Sequence, residues 1–75
     1  MEKLKIVYRT NQEHDIDKLL VEMKDEGEVL HIEKEMMMMV GNELADMVGY
    51  IITFNRAYAI YLFGHKSASL FGHSN

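Results

Sequence analysis

Apolar and polar positions alternate at the start of the chain. In EKLKIVYRT, residues 2–10, Leu4, Ile6 and Tyr8 fall on one side and Lys3, Lys5, Val7 and Arg9 on the other, which predicts a strand with one buried face. The period then changes. Ile16, Leu19, Leu20 and Met23 recur at helical spacing behind Thr10-Asn11-Gln12-Glu13. That tetrapeptide fits a capping box, in which a Thr hydroxyl and a Glu carboxylate satisfy each other's first-turn amides. Gly27 stands where a left-handed C-terminal cap is needed. A helix is predicted from residue 12 or 14 to residue 26, with Asp15, Lys18, Glu22, Asp25 and Glu26 on its outer face and Asp17 and Lys24 at the flanks.

Alternation returns from Glu28 to Val40. Leu30, Ile32, Met36, Met38 and Val40 share one side; Val29, His31, Glu33, Glu35, Met37 and Met39 share the other. The run Met36 to Met39 is apolar on both sides. Methionine is a weak strand former, so a helical reading of the run stays open, but it adapts to irregular partner surfaces and suits a strand end at an interface. Gly41 to Asp46 breaks the pattern.

Met47 to Phe63 concentrates aromatic and β-branched residues and predicts a hairpin turning at Asn55-Arg56. Phe54 would face Ala57, Ile52 would face Ala59, Tyr50 would face Tyr61 and Val48 would face Phe63, the large-against-small and Tyr–Tyr pairs that stabilise neighbouring strands. A single helix over residues 43–63 competes, since Leu44, Met47, Val48, Ile51, Phe54, Tyr58 and Leu62 also form a helical stripe. Gly49, Ile51-Ile52-Thr53 and the aromatics favour strands. The predicted fold is α+β: one small domain over residues 1–64, ordered β-α-β-β-β, with a mostly antiparallel four-stranded sheet and one helix on one face. Residues 65–75, in which LFGH at 62–65 recurs at 70–73, are expected to form a loosely ordered tail.

One helix covers one face of such a sheet, and the other would expose a large apolar patch. A homodimer is therefore expected, with Met37, Met39, Tyr50 and Tyr61 at its interface. Length points the same way, because a chain of 75 residues buries only about 60% of its unfolded surface and needs a supplement to its core. With no cysteine, that supplement is neither a disulfide nor a thiolate metal site, and a reducing cytoplasm is the expected compartment. Met1 is followed directly by charge and a strand pattern, so no signal peptide is expected. A membrane span over Met47 to Gly64 would bury Arg56 near its middle at about 2.5–3.5 kcal/mol, whereas a turn exposes it freely.

Little in the chain suggests catalysis. His14, His31, His65 and His73 lack metal-binding spacing, and scattered surface histidines are the simpler reading. Glu33 and Glu35 share a strand side, but acid–base work also needs a pocket and shifted pKa values. Phosphate-loop, dinucleotide and nucleophile-elbow motifs are all missing, so a protein that is not an enzyme, with no cofactor and no metal, is expected. Charge is more telling. Residues 11–46 hold eleven carboxylates against three lysines, a local net of −8 within an overall −4. An acidic surface keeps a small domain dispersed. Spaced carboxylates on a rigid surface also imitate duplex phosphates and can dock on a basic groove.

In size, lack of cysteine and acidic patterning, the chain resembles the small proteins with which lytic phages inhibit host machinery, and among them the DNA-mimic inhibitors, such as those occupying the DNA-binding face of bacterial histone-like proteins. The resemblance implies a stoichiometric protein–protein inhibitor. The partner expected is a basic nucleic-acid-binding protein, engaged through Asp15, Asp17, Glu22, Asp25, Glu26, Glu33 and Glu35, with no direct nucleic-acid or membrane binding. A structural or regulatory module binding through the Met36 to Met39 strand and the hairpin, and a metal or small-molecule binder using the tail histidines, remain as alternatives.

Overall fold

The computed structural model describes residues 1–36 and 46–71. Three strands, β1 (Glu2–Arg9), β2 (Val29–Met36) and β3 (Met47–Phe54), form one antiparallel sheet in the order β1-β3-β2. Two helices, α1 (Glu13–Asp25) and α2 (Ala57–Leu70), pack on one face. The α+β class holds. The predicted four strands and single helix do not: among the described residues there are three strands and two helices.

The difference lies in residues 47–70. Asn55-Arg56 is a reversal, as predicted, but it leads from strand to helix, so neither the hairpin nor the single helix over 43–63 forms. β3 pairs on both sides with β1 and β2 instead of with residues 57–63: Tyr50 stands between Ile6 and Lys34, and Ile52 between Leu4 and Ile32. In α2, Ala59, Phe63 and Ser67 recur every fourth residue and are buried, with Ile60, Leu62 and Phe71 packed around them. A strand would have turned Ala59 and Ile60 to opposite faces, whereas the helix buries Ala59 and packs the half-buried Ile60 against the same core. Residues 65–70, placed in the tail by the sequence, are the last turns of α2. Met37 and Met39 lie outside the described residues.

β3 owes its apolar character to its central place. Its Val48, Tyr50, Ile52 and Phe54 are wholly buried beneath the helices together with Ile16, Leu20, Met23 and Phe63. This is the face on which the helices lie, a choice between the strand's two faces that the pattern alone left open. Phe54 meets Phe63 with ring centroids 5.8 Å apart, and Tyr8 meets Phe71 at 6.0 Å. Each such pair adds about 0.5–1.5 kcal/mol beyond its buried area.

α1 starts at Glu13, between the two predicted starts, but its N-cap is Gln12 and not the Thr10 of the expected box. A 3₁₀ turn over Thr10–Gln12 intervenes, and Gln12 Oε1 accepts from the Arg9 amide at 3.0 Å. Its end follows the prediction. Gly27 takes a φ of 81°, its amide donates to the Lys24 carbonyl at 3.1 Å, and the Glu28 amide donates to the Met23 carbonyl at 2.9 Å. These paired bonds are a Schellman cap, which needs the left-handed residue that glycine supplies at least cost. The same turn holds the second helix. Asn55 donates its amide to the Glu28 carbonyl at 2.9 Å and its Nδ2 to the Gly27 carbonyl at 2.8 Å, while Arg56 Nη2 meets Glu28 Oε2 at 3.3 Å.

Candidate functional site

The structure sorts the acidic residues by what they touch. Asp17 faces inward from α1: its Oδ1 accepts the Tyr50 hydroxyl at 2.8 Å and its Oδ2 the Lys34 ammonium at 2.9 Å. Glu13, one turn earlier, takes the same ammonium at 2.6 Å. Lys34 belongs to β2 and Tyr50 to β3, so one cation and one phenol clamp the first half of α1 onto two strands. The Lys34 amine also lies 5.6 Å from the Tyr50 ring centre.

The electrostatics of this cluster oppose reactivity. The hydrogen bonds to Glu13, then to Asp17, hold Lys34 above its usual range, and burial followed by the Asp17 carboxylate pushes the Tyr50 phenol upward. Burial raises Tyr8 as well, against an opposing contact from the Ser67 hydroxyl. A nucleophilic lysine or a phenolate base needs the reverse shift. At neutral pH the cluster holds its protons and fastens a helix.

The other predicted acidic residues occupy two separate surfaces. Asp15, Glu22, Asp25 and Glu26 are exposed on α1 and at its C-cap, and among the described residues none of them is in an ion pair. Lys18 lies among them, and beside it the apolar Val21 is 56% exposed in a shallow depression bordered by His14, Asp17, Lys18 and Glu22. Glu33 and Glu35 lie elsewhere. They point from β2 to the far side of the sheet, where Glu35 meets Lys5 at 2.9 Å and Glu33 lies 3.5 Å from His31. Helix and strand carboxylates therefore do not form one array, because the strand's period of two turns its acidic residues away from the helix layer.

The two tyrosines expected at a dimer interface also part. Tyr50 is in this chain's own core, which corrects that expectation: its side chain lies beneath the helices and has no surface to offer. Tyr61 is on the outside of α2, 65% exposed, stacked between Tyr58 at 5.9 Å and His65 at 6.3 Å. Arg56 lies 5.5 Å from the Tyr58 ring centre and extends the column. Sequence reasoning missed this column because it placed Arg56 in a turn, Tyr58 and Tyr61 on a strand and His65 in the tail; the spacing Tyr58, Tyr61, His65 is the helical signal that could have found it.

Among the described residues no group of three or more histidine and carboxylate side chains is placed to hold a metal ion, and no helix is long and apolar enough to cross a membrane. Comparison of the chain with protein-family models, curated proteins and solved structures finds no match.

Proposed function

We propose that this protein is a non-enzymatic binding protein that docks the acidic exterior of α1 on the basic surface of a nucleic-acid-binding protein, in the manner of a DNA mimic. The observation that carries this reading is the set Asp15, Glu22, Asp25 and Glu26, exposed on one well-anchored element. Lys34 and Tyr50 fasten its first half and the Gly27 cap fastens its end, so the carboxylates keep their spacing before a partner arrives. From Asp15 to Glu26 the helix rises about 17 Å. Four carboxylates over that length average about 5.5 Å between neighbours, wider than the one per about 3.4 Å of a single DNA strand, and Lys18 subtracts one charge. Val21 supplies an apolar contact within the charged surround.

Binding of this kind is salt-sensitive, since the carboxylates displace the counterions that DNA would displace. The test is capture from a bacterial lysate at low salt with elution by a salt gradient, using the wild type and an E22K/D25K/E26K variant. Basic nucleic-acid-binding proteins should leave the wild type at moderate salt, unaffected by nuclease, and should not bind the variant. A partner retained undiminished in about 1 M salt, where the Debye length is near 3 Å, overturns the reading.

A second reading draws on the α2 column. Exposed tyrosines beside an arginine are the residue types that dominate protein interfaces, so α2 could dock a partner through Tyr58, Tyr61 and His65. Tyr61→Asp would abolish that complex, while the α1 variant would leave it intact.

A further inference from the structure

The sheet face turned away from the helices carries its charge in two stripes. β1 presents Lys3, Lys5 and Arg9 along one edge, with Val7 41% exposed among them, and β2 presents Glu33 and Glu35 with His31 along the other. Between the stripes run Met47, Gly49, Ile51 and Thr53 of β3. Inside one chain the stripes meet where Lys5 reaches Glu35 diagonally past Gly49, whose missing side chain leaves the path clear. Among the described residues Lys3 and Arg9 are in no ion pair, and both helices pack on the opposite face.

Register decides what fits here. β1 and β2 both run antiparallel to β3, so they run parallel to each other, and Lys5, Ile51 and Glu33 lie at one level along the strands. A two-fold axis laid along β3, between two sheets stacked at the usual spacing of about 10 Å, carries β1 of one copy over β2 of the other without changing that level. Lys5 of each copy then stands over Glu33 of the other, Val7 over Glu35, and Ile51 over its own symmetry mate. An axis laid across the strands would instead set lysines over lysines. By the same register Lys3 falls over His31, so the complementarity about this axis is that of the Lys5–Glu33 pair, made twice, whereas the other axis sets like charges together.

We propose that this face is the contact surface for a second copy of the chain, packed about the axis that runs along β3. Three strands of eight residues give a footprint of about 26 by 14 Å, on the order of 400 Å² per copy. A stable complex buries about 800 Å² per partner, so this dimer belongs to the weak, concentration-dependent class. It presents two α1 exteriors pointing in opposite directions, one on each side of a four-layer sandwich. The inference stands apart from the proposed function, because Glu33 and Glu35 take no part in α1 docking.

The test is sedimentation equilibrium from about 1 µM to about 1 mM, with circular dichroism to confirm that each variant is folded. Lys5→Glu and Glu33→Lys should each weaken self-association by about tenfold or more, by placing like charges face to face. An equimolar mixture of the two variants should restore a dimer, and so should the double variant K5E/E33K, since both recreate the opposed pairs. Three results overturn the proposal: a wild type monomeric throughout, a dimer indifferent to both single substitutions, or single variants that weaken but fail to recover on mixing. The two substitutions lie on different strands, so either alone carries the test if the other fails to fold.

Discussion

β3 shows two faces of one sheet from a single strand. Ile52 is wholly buried under the helices, and its neighbour Ile51, of the same chemistry, is half-buried on the open side. On the covered face, burial is achieved by other apolar residues, Ile16, Leu20, Met23 and Phe63 among them, and the polar groups Tyr50 and Lys34 are tied to carboxylates. On the open face Met47 and Ile51 are half-buried, Gly49 and Thr53 are buried, and the flanking strands place Lys3, Lys5, Arg9, Glu33 and Glu35 beside them. The first arrangement specifies a fold. The second leaves a surface that a further copy can complete.

The largest effect should separate the two isoleucines. Ile52→Ala removes a fully packed side chain and should cost about 2–5 kcal/mol, whereas Ile51→Ala should cost less than about 1.5 kcal/mol, both read from urea unfolding at dilute concentration. Equal costs would mean that the open face is as well covered as the other. Next is Tyr50→Phe, which keeps the ring and deletes the hydrogen bond to Asp17. About 1.5–3 kcal/mol should be lost in the same measurement.

That cluster also sets an alkaline limit. Lys34 and Tyr50 are both raised in the folded chain, Lys34 by its carboxylate partners and Tyr50 by burial first. A raised group contributes stability that is present in full below its unfolded value, near 10 for both residue types, and is lost as pH climbs through the folded value. Thermal unfolding should therefore be insensitive to these groups at neutral pH and fall above about pH 10. In Tyr50→Phe the fall should be shallower.

A smaller effect concerns how the cover is fastened. Gly27→Ala meets no neighbouring atom, so its cost is the left-handed φ alone, about 1–2 kcal/mol, visible as a lower melting temperature. The smallest belongs to the open face. Lys5→Ala breaks an ion pair whose side chains are each about half exposed, and should change monomer stability by less than about 1 kcal/mol. A larger loss would show the Lys5–Glu35 bridge to be structural instead of superficial.

Some of this was readable from the residues alone. The period of two in Leu4, Ile6 and Tyr8, the helical spacing of Ile16, Leu19, Leu20 and Met23, and Gly27 at the end of that run determined β1, α1 and its cap, because each element is half-exposed and its pattern records which side meets water. The acidic exterior of α1 follows from the same pattern. Tertiary structure alone decided the rest. β3 is apolar on both faces because strands flank it and helices cover it, so it carries no alternation to read. Over residues 57–63 α2 displays Tyr58 and Tyr61 outside and buries Ala59 and Phe63 inside, so this stretch is apolar all round, and its aromatics imitate a strand. Whether Glu33 joins the α1 carboxylates or opposes them likewise depends on which side of the sheet the helices take. Periodicity reports which residues of one element share a face; contacts between elements distant in sequence decide what that face meets.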